Sequence, residues 1–530
     1  MCLALLAGAG AAQERVPSFA ELETAGARIG EIQVLPQDIF DLEDPREDNM
    51  IFRVANKLHI NTRPEVIRRA LLFKSGEPVS VRLIEETERL LRAKNYLYDV
   101  SIQPIAYREG VADIEVRTRD TWSLQPGLSV SRAGGENTGR LSLEEENVLG
   151  TGIALGVSYR KDVDRSGTQF RIADPNVRGT RTAVAYAYTD QDDGSAQSAS
   201  LTRPFYALDT RWAAGVNAST SNSIEALYNE GNEVAEYGHR RASGEVFAGW
   251  SPGLVRRWTR RFSVGLQYAD DDYELEPGRP APERLPSDLV VAAPFARFEL
   301  IEDAFRKDTN LDQIGRVEDI TMGLQTTVQV GRALRALGST RDMWVYSASA
   351  SNGFDVTANS ILLTSVALGG RYAGTGSENQ SLGATARYYH RHGRRVVYYA
   401  SLAGDVVRDP DVPGPLLIGG DTGLRGYPLR YQAGERRALM TLEARGYTDW
   451  YPLRLIRVGG AVFYDVGRAW KGENQNATNP GWLHDIGFGL RFLNARTAFG
   501  QVLHADIAFP LNSVGDIKSV QFVVSTKFAL

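Results

Sequence analysis

Phe262-Ser263-Val264-Gly265-Leu266-Gln267-Tyr268 alternates bulky apolar residues with small or polar ones, and this period of two decides the fold. The same pattern runs through Ile153, Leu155, Val157 and Tyr159, and through Val184, Tyr186 and Tyr188. It returns in residues 381–389, 396–405, 458–465, 486–492, 503–509 and 520–530, with Gly, Asn and Asp clusters between. A soluble sandwich would have to bury all these bulky faces in a core only about 10 Å thick. A closed sheet instead pairs every backbone group and offers its bulky face to lipid. Residues 119–530 are therefore expected to form an all-β transmembrane barrel. At roughly 25 residues per strand plus connection, about 16 antiparallel strands are expected. Tyr159, Tyr188, Tyr268, Trp450, Tyr451 and Trp470 are placed as interfacial girdle residues.

The composition agrees with sheets and turns. The chain of 530 residues holds 52 Gly and 22 Tyr against one Cys and five Met, with a formal net charge of −5. That charge excludes a polybasic nucleic-acid binder. The mean hydropathy of −0.28 does not argue against a membrane barrel, whose lipid-facing and lumen-facing residues average out. Residues 1–12, MCLALLAGAGAA, read as a signal peptide, short and without a basic n-region as a truncated one would be, with Ala9-Gly10-Ala11 in the form of a cleavage site. Cys2 would leave with it, so the exported chain would carry no thiol.

Residues 30–118 follow another pattern. Pro64 opens a helix with Val66, Ile67, Ala70 and Leu71 on one face; Ser80 caps a second with Leu83, Ile84, Thr87, Leu90 and Leu91 inward and Arg82, Glu85, Glu86, Arg89 and Arg92 outward. Strands at Ile32 to Val34, Val100 to Ile102 and Ala112 to Val116 complete a small α+β unit in the order β-α-α-β-β. Such a sheet keeps an edge free to accept an extended chain. The acidic stretch Asp38 to Asp48 reads as a solvated loop.

No enzyme chemistry is apparent, and no cofactor or metal is implied. His390 and His392 flank a turn without a third ligand, the glycine doublets precede no helix, and no nucleophile has a base at a recognisable spacing.

One segment departs from the strand pattern: Gly419-Gly420-Asp421-Thr422-Gly423-Leu424-Arg425-Gly426-Tyr427-Pro428 is too polar and glycine-rich to span. Its Leu424, Arg425, Gly426 and Tyr427 resemble the loop tip that the Omp85 superfamily, the bacterial surface antigen barrels, folds into the barrel lumen. Phe463-Tyr464-Asp465-Val466-Gly467 and Gly487-Phe488-Gly489-Leu490-Arg491-Phe492 are similar to two further patterns of that superfamily, in the same order. Glu144 to Gly152 and Asp174 to Gly179 resemble its first hairpins, and Leu72 to Pro78 with Asn95 to Val100 resembles the signature of a single POTRA domain. Asn147 and Asn176 are read as turn residues.

An arginine in a narrow lumen requires a carboxylate, and Asp465 is the expected latch partner of Arg425. The resemblance implies an outer-membrane protein with its N-terminal domain in the periplasm. Its expected partners are unfolded outer-membrane or secreted clients, the lipid bilayer and accessory lipoproteins, and no nucleic acid. Insertion or translocation of proteins is the implied role, with a passive pore and a dedicated two-partner-type secretion transporter as alternatives.

Overall fold

A computed structural model describes residues 15–374, 376–470, 481–496, 501–512 and 517–528. The signal-peptide reading of residues 1–12 lies outside the described residues, as does the end of the chain after Phe528.

The N-terminal unit is a three-stranded sheet with helices on one side. Arg28–Gln37 runs parallel to Val111–Asp120, which pairs antiparallel with Leu97–Arg108. Helix Val81–Arg92 covers the sheet through Ile84, Thr87 and Leu91, and shorter Pro64–Arg68 adds Ile67. Two helices are added to the expected order. Phe19–Thr24 is held by a Ser18/Glu21 capping box, and Met50–Leu58 starts at Asn49, whose side chain accepts from Phe52 N–H.

Two expectations about this unit change. The acidic stretch is only partly wet: Ile39, Phe40 and Glu47 are buried, and Glu47 pairs with Arg496 of the barrel. Glu86, expected outside, is buried because the barrel connection closes over it, with Leu208 N–H donating to its carboxylate at 2.8 Å and Arg82 at 3.0 Å.

From Leu124 onward the strands close into a single antiparallel barrel of 20 strands, not about 16. The excess follows from turn length. Gly134-Gly135, Asp192-Asp193 and Glu230-Gly231 are tight connections, so a strand with its connection takes about 20 residues rather than about 25. Alternation sets which side each residue faces. Phe262, Val264, Leu266 and Tyr268 are exposed on the outer wall, forming with their neighbours the apolar belt that a barrel presents to lipid.

Barrel diameter grows with strand number, so four extra strands widen the lumen and leave more to fill. Two insertions occupy it. The connection after Leu289–Glu302, at the rim facing the N-terminal unit, folds into a hairpin of Phe305–Thr309 and Val317–Thr321. At the far rim, the connection after Val396–Arg408 forms a small ladder, Leu416–Ile418 with Gln432–Gly434, carrying the glycine-rich tip. The first and last strands, Leu124–Ala133 and Gln521–Phe528, meet through Val524 and Arg132.

Candidate functional site

The loop tip is a rigid turn. Gly420 N–H donates to Pro428 O at 3.0 Å, Leu424 N–H to Gly419 O at 3.0 Å and Tyr427 N–H to Leu424 O at 3.1 Å. Leu424 and Tyr427 are fully buried against Ile418, Tyr431, Ala469 and Leu483. The Tyr427 hydroxyl accepts from His484 N–H at 3.1 Å and lies 2.8 Å from His484 O and 2.6 Å from Asn512 Oδ1, to either of which it can donate. Backbone and side chain thus press the tip onto the inner wall.

Arg425 reaches that wall at three strands. Its Nε and Nη2 form a fork on Asp465, at 2.7 and 3.0 Å, and Nη1 donates to Glu443 at 2.9 Å and Asp506 at 3.1 Å. The guanidinium lies 3.3 Å from the centre of the Phe463 ring. Arg491 pairs with Asp506 and sits 3.8 Å from Glu443. Strand parity explains the convergence, because Glu443, Phe463, Asp465 and Arg491 occupy alternate inward positions of Arg436–Tyr447, Ile456–Trp470 and Leu483–Asn494, and Asp506 does so on Gln501–Pro510. Fork geometry and ring stacking are specific to guanidinium, which a lysine would not reproduce.

Glycines let the parts approach. A Cβ on Gly426 would sit 2.6 Å from the Asp485 Cβ, and one on Gly467 2.5 Å from Ile418 of the loop ladder. Gly487 and Gly489 leave room for the Phe463 ring and the Asp506 carboxylate. All three quoted motifs therefore meet around one arginine. Asp485, cross-strand neighbour of Asp465, is buried beside it and against the Gly426 backbone.

Sequence reasoning missed Glu443, Asp506 and the other half of the network. Arg445, stacked on Tyr399 at 3.9 Å, donates from Nε to Glu443 at 2.7 Å and from Nη1 to Leu311 O at 2.7 Å and Asp312 at 3.3 Å. Tyr389 donates to the second Asp312 oxygen at 2.9 Å. Leu311 and Ile314, at the hairpin tip, are buried among Ile361, Tyr389, Val397, Tyr447, Leu493 and Val502. The root of the hairpin meets the N-terminal helix: Arg92 forks onto Asp319 at 2.8 and 2.9 Å, Lys307 reaches Glu88 at 2.8 Å, and Arg89 lies 4.0 Å over Phe305. The hairpin thus touches the N-terminal helix at its root and, at its tip, the network that runs through Arg445 and Glu443 to Arg425. On its other side the loop touches the first hairpins, where Arg430 pairs with Asp164 and lies 4.4 Å over Tyr228.

No family model matches the chain, and no curated protein matches it. Among solved structures it is similar to BamA from Haemophilus ducreyi lacking POTRA domains 1–3, at 12% identity over 94% of this chain and 85% of that one, with a TM-score of 0.37. It is also similar to CdiB from Acinetobacter baumannii, at 14% identity over 94% and 73% with a TM-score of 0.45. CdiB from Escherichia coli aligns at 12% identity over 94% and 76%, with a TM-score of 0.46. The resemblance to the Omp85 superfamily is carried by the three motifs and the lumen site they build.

Proposed function

We propose that this protein is an outer-membrane factor of the Omp85 type that inserts or translocates other proteins, with its N-terminal unit in the periplasm. The observation that carries this reading is the loop tip pinned across the lumen by Arg425 to four inward side chains, all on strands close to the seam between Gln521–Phe528 and Leu124–Ala133. A latch there holds the late strands in register, and its release would free the wall beside the seam. The N-terminal sheet, a POTRA-like unit, has Arg28–Gln37 and Leu97–Arg108 as outer strands; residues 76–79 already pair with the start of the first, so an extended client could add beyond Ile29 or on Leu97–Arg108. Client folding and burial in lipid supply the driving force, so the scheme uses no cofactor or nucleotide and involves no catalysis of an enzymatic kind.

The lumen is entered by a loop from one rim and a hairpin from the other, which favours this reading over a passive pore. Accessory lipoproteins would dock on the N-terminal unit. Depletion followed by quantification of the outer-membrane proteome separates the alternatives. Loss of many barrel proteins is expected; loss of one exported protein would indicate a dedicated transporter, and no loss a passive barrel.

A further inference from the structure

The segment around helix Met50–Leu58 stands apart from the core of the N-terminal sheet. Ile39, Phe40 and Phe52 form their own buried cluster with Ala55, Trp122 and Leu455, and the Phe40 and Phe52 rings stack at 3.8 Å. The Asn56 amide accepts from Phe40 N–H at 3.1 Å and donates to Phe40 O at 2.9 Å, which fixes the rotation of the helix. With Phe52 and Asn56 turned inward, the 100° step per residue puts Met50, Ile51, Val54 and Leu58 on one outward arc, beside Arg53 and Lys57. That arc is bare: Met50 is 80%, Ile51 75% and Leu58 69% exposed, and Ile60 continues it.

The location gives the bare arc a meaning. Leu455 belongs to the connection before strand Ile456–Trp470, and the same connection exposes Trp450 and Leu453. Trp122 lies two residues before the first barrel strand, and its backbone N–H donates to Arg496 O at 2.8 Å. Arg496 in turn donates to Ile39 O at 3.0 Å, and Arg454 lies 3.4 Å from Asp44. The helix is therefore fastened to the barrel rim on both sides of the seam, where the outer apolar belt ends at Ile456 and continues up the wall through Val462.

We propose that Met50–Leu58 is a membrane-contacting helix, lying in the phospholipid surface at the foot of the seam and extending the apolar belt of the barrel onto the N-terminal unit. The inference rests on the barrel spanning a bilayer and not on what the barrel does there. Attraction to anionic headgroups is not its basis: Asp38, Asp41, Glu43, Asp44, Glu47 and Asp48 outnumber Arg46, Arg53 and Lys57 in the same segment. The occupant is the boundary between headgroups and acyl chains of any fluid phospholipid.

The test places single cysteines at Ile51, Val54, Leu58, Val462 and Glu65 in the full chain carrying Cys2→Ser, with a nitroxide on each. The protein is reconstituted in phosphatidylcholine vesicles with and without phosphatidylglycerol, and retained heat-dependent gel mobility shows that each variant has folded. Oxygen and a water-soluble nickel chelate then report on depth. Nickel accessibility at 51, 54 and 58 is expected to be severalfold below that at Glu65 and to approach that at Val462, in both lipid mixtures. Water-like values at all three helix positions, with Val462 still shielded, would overturn the proposal while leaving the barrel and its function untouched. Shielding that develops only when an unfolded barrel protein is added would overturn it in favour of a client-binding face. Water-like values at Val462 as well would overturn both this proposal and the membrane reading of the barrel.

Discussion

The two insertions that enter the lumen are both packed, and they differ in charge. The loop tip adds to its buried Leu424 and Tyr427 a buried cation: Arg425 shares one guanidinium among Asp465, Glu443 and Asp506, with all four groups buried. The hairpin tip hangs on apolar packing of Leu311 and Ile314, and only its backbone and Asp312 touch an arginine. Charge held in this way is directional and fails when one partner goes, whereas apolar packing degrades in proportion to what is removed. Arg445 joins the two through Glu443.

Arg425→Ala should therefore be the most damaging single change, because it strips the buried Asp465 of its counter-charge and leaves Glu443 and Asp506 to Arg445 and Arg491 alone. A loss of about 3–5 kcal/mol is expected, read from urea unfolding of the barrel in detergent by heat-dependent gel mobility. Arg425→Lys should recover only part of it, lacking the fork and the stack on Phe463. Removing Arg425 and Asp465 together should cost less than the sum of the two single alanine changes, and strictly additive losses would sink the pairing. Exchanging the two residues is expected to fail: an aspartate at the loop tip would face Glu443 and Asp506.

Leu311→Ala tests the apolar side of the comparison. About 3 kcal/mol is expected from the cavity it leaves, confined to the hairpin, with a rise in ion conductance across planar bilayers and little change in the loop latch. If the conductance stays at the level of the unaltered protein, the hairpin does not obstruct the lumen. Arg445→Ala, by contrast, should loosen both insertions.

What the chain order reveals differs in the same way. Period-two alternation made the barrel legible, since stretch after stretch carries it, but not the strand count, which depends on turn lengths that alternation does not report. Asp465 was legible because it falls at an inward position within a recognisable motif. Glu443 and Asp506 were not, as a single acid at an inward position is ordinary for a lumen wall; the unusual cue was Glu443-Ala444-Arg445, two opposite charges on the same face of one strand. The hairpin was hidden because Phe305–Thr309 and Val317–Thr321 resemble their neighbours locally and differ in being too short to span. The acidic stretch misled because Glu47 finds its arginine in the barrel, far along the chain.

Asp485→Asn should have the opposite sign from changes at Asp465. The two aspartates are cross-strand partners, yet Arg425 serves only one of them. An amide of the same shape can donate to Asp465 where two carboxylates would repel, and a gain of about 1 kcal/mol is expected in the same unfolding measurement. A loss comparable to that of Asp465→Asn would show that Asp485 carries a partner of its own.

The most local expected effect belongs to Glu318, on the second strand of the hairpin. Its carboxyl accepts from Leu311 N–H at 2.8 Å and Asp312 N–H at 3.0 Å, so it ties the strand to the tip. Burial outweighs these donors and pushes its pKa up to about 7 from the ordinary 4.5, with Asp312 adding to the rise. The hairpin thus holds a proton that the unfolded chain would release between those two values. Its contribution to stability is complete below pH 4.5 and falls as pH rises towards 7. Hydrogen exchange at Leu311 to Gln313 should accordingly quicken by more than about tenfold, after correction for intrinsic rates, between pH 5 and 7, by the linkage of about 1.4 kcal/mol per unit. Glu318→Gln, which keeps the acceptor oxygen and cannot ionise, should flatten that dependence while exchange around Arg425 stays unchanged. A profile equally steep in the glutamine variant would move the titration to another group and leave the hairpin held by packing alone.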